Sequence, residues 1–297
     1  MGFGHLVDIE LCARDEPSDM KRGRASQTAA VVTLMRALAD AGICNVKGFS
    51  DPTARLLLPA NWAQRFEKTL RAKSEGRGRE AIKRAADLMA VRTMTIDGHV
   101  REAIDAGAKQ LVILGAGLDG RAFRMAELGG VEVFEVDHPD TQAGKRERAC
   151  HVTQTAASLR FVAMNFERGD LGSALQAAGH RADVPTVWLW EGVVMYMTDE
   201  ALRRTLDIIA QRSATGSTVI VQYNTREGRD LVTFLLTRVW GEPQVGLRTQ
   251  EEMAQALTGA GFHVRADSGF AEWATLHGLP PEPRGAARRA RIVVARR

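Results

Sequence analysis

The chain has 297 residues, 45% hydrophobic and 26% charged, with a net charge of +4. This is ordinary globular composition, long enough for one large domain or a domain with an appendage. No apolar run approaches the roughly 20 residues of a membrane helix, and the opening MGFGHLVDIELCARDE lacks the basic and apolar regions of a secretory signal.

Cys12, Cys44 and Cys150 are odd in number and widely spaced. They provide neither a disulfide framework nor a metal cluster, which predicts a cytoplasmic protein without a metal site. Much of the basic excess lies in the tail, at Arg284, Arg288, Arg289, Arg291, Arg296 and Arg297. Few aromatics are interleaved there, so the tail reads as a solvated edge rather than a nucleic-acid surface.

Residues 1–24 are polar and glycine-containing, the pattern of a mobile arm. Ser26 can cap a helix to Ala41 that carries Val31, Leu34, Met35 and Leu38 on one face and stops at Gly42. Asp51-Pro52 opens a turn or a new helix with proline at its first position. Asn61–Lys73 is amphipathic through Trp62, Phe66 and Leu70. Ser74–Arg79 is a charged loop, and Ala81–Ala106 reads as one or two helices with Gly98 as the break. The predicted organisation is a helical N-terminal lid segment over residues 1–90 and a sheet domain over 91–297.

The sheet begins at Leu111–Leu114, an apolar run suited to a strand buried on both faces. The turn Gly115-Ala116-Gly117-Leu118-Asp119-Gly120 follows. A helical pattern through Leu118, Phe123, Met125 and Leu128 then ends at Gly129-Gly130, and a second strand, Val131–Val136, ends on Asp137. Strand, glycine turn, helix, strand and acid form the first unit of a nucleotide-binding α/β sheet. A helix from Pro139 to Ala156, a strand Leu159–Met164, a helix Leu171–Ala178 and a strand Thr186–Trp190 continue the rhythm. Thr198 caps a helix to Ala210, Ser217–Tyr223 is a fifth strand, and Leu231–Trp240 is helical. Thr249 with Glu252 forms a capping box. Phe262–Arg265 and Ala290–Ala295 can close the sheet edge as an antiparallel pair. The fold class is therefore α/β, a mostly parallel sheet with helices on both faces.

Gly115, Gly117 and Gly120 match G-x-G-x-x-G, which by itself suggests a dinucleotide. Asp119, however, lies where a pyrophosphate would meet the helix N-terminus, and a carboxylate repels an anion there. S-adenosylmethionine, with a sulfonium, an ammonium, a ribose diol and no phosphate, suits the turn better. The alternatives are an Asp119 that only caps the helix or faces solvent, and a nicotinamide-dependent oxidoreductase using the same glycines with Asp137. A non-enzymatic binder on the same fold is a third reading. Ligands of open α/β sheets bind beyond the carboxyl ends of the strands. Those ends carry Gly115, Gly117, Asp119, Asp137, His138, Asn165 and Glu191. Asp137 is expected to take the ribose, Asn165 the adenine edge with Phe166 against the ring, and Glu191 the methionine end. His138, Tyr196 and Tyr223 are the nearest candidates for a general base by position. Tyr196 and Tyr223 are better placed as acceptor-pocket walls, so no catalytic residue is assigned.

Several stretches together resemble the leucine carboxyl methyltransferase family, particularly its bacterial S-adenosylmethionine-dependent O-methyltransferase branch. They are Ser26–Leu38, Asp51-Pro52, Arg92-Thr93 with Asp97, VILGAGLDGRAFRM, FEVDHP (Phe134–Pro139) and WEGVVMYM (Trp190–Met197). The resemblance implies a class I, Rossmann-like methyltransferase sheet with a helical N-terminal lid. It also implies Arg92 as the partner of the cofactor's carboxylate, and methyl transfer to a carboxylate or hydroxyl of a small molecule or peptide. Natural-product biosynthesis is an expected setting. Thr53 and Gly120 depart from the Tyr and Thr common at those positions. Asn165-Phe166-Glu167 departs from Asp-Leu, often followed by Arg, and the protein-phosphatase substrate of some members is not carried over.

Overall fold

The computed structural model describes residues 27–72, 76–164, 169–226, 244–281 and 289–297. The expected arm, the Ser26 cap, the 231–240 helix, Arg284 and Arg288 lie outside the described residues. Seven strands form one sheet: β1 Gln110–Leu114, β2 Glu132–Asp137, β3 Ser158–Ala163, β4 Thr186–Trp190, β5 Thr218–Asn224, β6 His263–Gly269 and β7 Ala290–Arg296. Their order is β3-β2-β1-β4-β5-β7-β6. β1 to β5 are parallel, and β7 lies antiparallel between β5 and β6, so the expected terminal antiparallel pair is present. β1 and β4 are buried at every position, as strands covered on both faces must be. Strand order reverses between β1 and β4, which puts the ligand crevice of this topology at their carboxyl ends.

The helices are α1 Gln27–Asp40, α2 Pro52–Leu57, α3 Ala60–Arg71, α4 Arg77–Asp105, α5 Arg121–Arg124, α6 Pro139–Ala149, α7 Leu171–Ala177, α8 Asp199–Gln211, α9 Gln250–Gly259 and α10 Phe270–Leu276. Local chemistry sets several of their starts. Asp51 caps α2 with Pro52 following it, Thr198 accepts from Ala201 N at α8, and Thr249 and Glu252 form the expected capping box at α9. Among the described residues no helix is long and apolar enough to cross a membrane.

Some expected helix bounds need correction. Gly98 does not break α4, which is a single helix of 29 residues. Its continuous buried face (Ala86, Ala90, Val91, Ile96, Val100 and Ala103) outweighs the roughly 1 kcal/mol that a glycine costs a helix. The expected boundary at residues 90 and 91 falls inside this helix. The helix after the glycine turn is one turn long, and Ala126–Gly130 then forms a 3-10 turn. Leu118, Phe123, Met125 and Leu128 are all buried, so the apolar pattern located the core contacts but not the backbone hydrogen bonding. α6 ends at Ala149 rather than Ala156. Thr155 N and Ala156 N donate to Ala122 O, and Ala157 N donates to Leu128 O, drawing that stretch back to the turn.

Candidate functional site

The glycine turn leaves β1 with Gly115 at φ +66° and Gly117 at φ +50°, left-handed values that favour glycine. Gly115 N and Ala116 N donate to Val136 O at 2.8 and 3.1 Å, which ties the turn to β2. Asp137, at the end of β2, accepts from Gly117 N at 2.5 Å and from its neighbour His138 N at 2.6 Å. Burial raises the Asp137 pKa, against the pull of these two backbone bonds. His138 caps α6, its Nδ1 accepting from Asp140 N at 3.3 Å, and is half-exposed. Gly115, Gly117, Asp137 and His138 are therefore brought together at the β1 and β2 ends.

Asp119 is buried, and its carboxylate faces its own chain. Oδ1 accepts from Arg121 N at 2.8 Å, and Oδ2 pairs with Arg121 Nη1. Burial raises its pKa, but Arg121, Lys145 and Arg36 outweigh that and hold it at about 2. Asp119 precedes Gly120, the N-cap of α5, so this is a local contact rather than a helix cap or a solvent-facing acid, and the cation that Asp119 attracts here is an arginine side chain. The same geometry disfavours a dinucleotide. α5 is only four residues long, and its first N–H is already taken by a carboxylate, so that N–H is not free to bind a pyrophosphate.

Glu191 follows β4. Its Oε1 lies 2.8 Å from Arg92 Nη2 and its Oε2 lies 3.0 Å from Arg121 Nη1. Burial raises its pKa, yet Arg92 and Arg121 hold it below the usual carboxylate range. Arg92 comes from α4 and is buried; burial lowers its pKa, opposed by Glu191. Arg92 Nε has no hydrogen-bond partner among the described residues. Buried Arg92 and part-buried Glu191 thus form one pair of opposite charges, while Asn165 and Phe166, expected at the adenine, lie outside the described residues. Tyr196 sits in a 3-10 turn, Val194–Tyr196, just beyond Glu191. Tyr223 is fully buried in the core, and its hydroxyl donates to Asp267 Oδ2 at 2.7 Å. It is therefore committed to the antiparallel side of the sheet rather than to an open wall.

Sequence reasoning missed the charges behind this crevice. Arg36 of α1 donates to Leu118 O in the turn at 2.7 Å and pairs with Asp51 at 2.9 Å. Arg124 Nη1 pairs with Asp97 at 2.6 Å, and Arg121 Nε pairs with Asp97 at 2.7 Å. The signal available was an arginine within an otherwise apolar helix, as in VVTLMRALA and RAFRM. A cavity of about 790 Å³ opens elsewhere, between α2, α4, α5 and α10, and meets this network only at Asp97 and Arg124. Both groups are already paired there, so the chemistry is read from the strand ends instead.

The two departures at positions 53 and 120 touch. A Cβ on Gly120 would clash with Thr53 Oγ1 and stand 3.0 Å from Thr53 Cβ. Gly120→Ala is expected to destabilise the protein by about 1–3 kcal/mol through overpacking, with part of the loss recovered by adding Thr53→Ala. Urea unfolding of the single and double variants checks this coupling; purely additive losses would show that the contact is not responsible.

Residues 29–210, more than half of the chain, match the family model for leucine carboxyl methyltransferase. A Mycobacterium tuberculosis protein, provisionally named an S-adenosyl-L-methionine-dependent methyltransferase, is 35% identical over 204 residues. That match covers 68% of this chain and 62% of the relative, so the chain spans less than two thirds of the relative's length. A Mycobacterium avium protein with the same provisional name is 34% identical over 213 residues, covering 69% of this chain and 68% of the relative. A DUF574-family crystal structure from Streptomyces avermitilis is similar in fold, with a TM-score of 0.60 at 15% identity over 93% of this chain and 98% of that one. The family match, supported by these relatives, shows that the chain belongs to the leucine carboxyl methyltransferase family.

Proposed function

We propose that the protein is an S-adenosylmethionine-dependent O-methyltransferase acting on a carboxylate or hydroxyl of a small molecule or peptide. The observation that carries this reading is the Arg92–Glu191 ion pair at the end of β4. An acid and a base side by side, with Arg92 Nε left without a partner among the described residues, suit the carboxylate and ammonium of an amino acid. Asp137, held at the tip of β2, suits a ribose diol. In this reading Arg92 holds the ligand carboxylate, Glu191 the ammonium, Asp137 the ribose, and Asn165 and Phe166 the adenine. Gly115 and Gly117 let the backbone turn sharply beneath them, and His138 edges the site. Tyr196 lines the acceptor side.

When bound, S-adenosylmethionine supplies an electrophilic methyl group. The chain's part is to orient the acceptor and exclude water. A carboxylate acceptor is already ionised and needs no general base, which agrees with leaving that role unassigned. The test has two arms. Calorimetry should show binding of S-adenosylhomocysteine and none of a nicotinamide dinucleotide. A labelled-methyl assay across carboxylate and hydroxyl acceptors should then yield a base-labile ester or a stable ether. Nicotinamide binding without S-adenosylhomocysteine binding would reject the proposal, and label appearing only on nitrogen would reject the O-methyl assignment.

A further inference from the structure

Arg121 is one of the most deeply buried large side chains in the protein, at 1% exposure. Its guanidinium meets carboxylates from three separate parts of the chain: Asp97 in α4, Asp119 in the glycine turn and Glu191 after β4. The connected array joins Arg36, Arg92, Arg121 and Arg124 to Asp51, Asp97, Asp119 and Glu191. Its formal charges cancel. Arg121 is the member that links the turn to the β4 end, and a planar guanidinium suits three acceptors in a way an ammonium on a flexible stem does not.

We propose that Arg121 is the positioning residue of the cofactor site. It fixes Asp119 and Glu191 relative to each other, so that Glu191 keeps a counter-charge and a set orientation when Arg92 engages a ligand carboxylate. This rests on the S-adenosylmethionine reading given above. In the structure Glu191 has two cationic partners, Arg92 and Arg121. A ligand that draws on Arg92 leaves Arg121 as the remaining one. Asp119 and, at longer range, Arg36 are the other charged groups acting on Glu191. Without Arg121 the array carries one excess negative charge. A proton then settles on one of the crowded carboxylates as the pH falls, and a protonated Glu191 no longer attracts an ammonium.

The test compares S-adenosylhomocysteine binding by calorimetry between pH 5.5 and 8.5, with thermal melting alongside. The proteins are the wild type, Arg121→Lys, Arg121→Gln and the charge-balanced Arg121→Gln/Asp119→Asn. Wild-type affinity is expected to be nearly flat with pH. Arg121→Gln should bind at least about tenfold more weakly, with affinity falling further as the pH drops. The charge-balanced variant should regain melting temperature without regaining affinity, and Arg121→Lys should fall between. A merely structural role would not move the pH profile of a folded variant. Folded Arg121→Gln or its charge-balanced form binding within twofold of wild type at every pH would overturn the proposal. So would loss of folding in all three variants, which would assign Arg121 to the scaffold alone. A folded wild type that fails to bind S-adenosylhomocysteine would overturn the cofactor reading and this inference together.

Discussion

Lys145→Met is expected to destabilise the protein by about 3–5 kcal/mol at pH 8, the range found when one partner of a buried ion pair is removed, and by clearly less at pH 5. Lys145 on α6 and Glu135 on β2 pair at 2.5 Å with both side chains 1% exposed. Glu135 Oε1 has no hydrogen-bond partner among the described residues, so Lys145 carries most of its compensation. Burial pushes the Glu135 pKa up to about 7, with Lys145 opposing and Asp119 adding to the rise. The native state therefore binds more protons at this site than the unfolded chain does between the ordinary glutamate pKa and about 7. The associated stabilisation is fully present below that window and is lost as pH rises through it. Removing Lys145 takes away the opposing cation and moves the upper edge of the window higher. At pH 5 the lone Glu135 is neutral and tolerable; at pH 8 it is forced towards an unpaired buried charge. Glu135→Leu/Lys145→Met should recover most of the loss and its pH dependence. Urea unfolding at the two pH values decides the matter, and an equal loss at both would show that the Glu135 charge is not the cause.

Asp137→Ala is expected to weaken S-adenosylhomocysteine binding by about 1.5–3 kcal/mol, roughly ten- to a hundredfold, as loss of a charged hydrogen-bonding group should. Asp137 has two tasks in this structure. It accepts from Gly117 N and His138 N, which sets the turn, and in the proposed function it takes the ribose diol. Asp137→Asn keeps an acceptor for Gly117 N but loses the charge, so its affinity should lie between those of alanine and wild type. Calorimetry on proteins of matched melting temperature separates the ligand contact from the turn. Unchanged affinity in a folded Asp137→Ala protein would remove the ribose assignment.

Much of the fold was legible because it rests on local rules. The strand Thr186–Trp190 stands where the apolar run put it, and the Thr198 and Thr249 caps follow from side-chain oxygens next to free N–H groups. Boundaries failed where packing overrode local signals. Gly98 is carried through by the buried face of α4, and the α6 end is set by bonds from Thr155 and Ala156 to Ala122. The placement of Gly115, Gly117 and Asp137 at the ends of β1 and β2 could be read from spacing. Tyr223 could not be separated from a pocket wall, because its partner Asp267 lies 44 residues away in sequence.

The sequence by itself determined the two strands of the first unit, the glycine turn between them and the acid at the end of β2. Periodicity and turn chemistry act over a few residues, and the chain carries both in plain order. Only the tertiary structure decided which charges neutralise which. Arg36 reaches Leu118 O across 82 residues, and Arg121 gathers Asp97, Asp119 and Glu191 from three elements. Coulombic pairing in a buried site depends on distance through space and on shared exclusion of water, and neither is written in the spacing of residues along the chain.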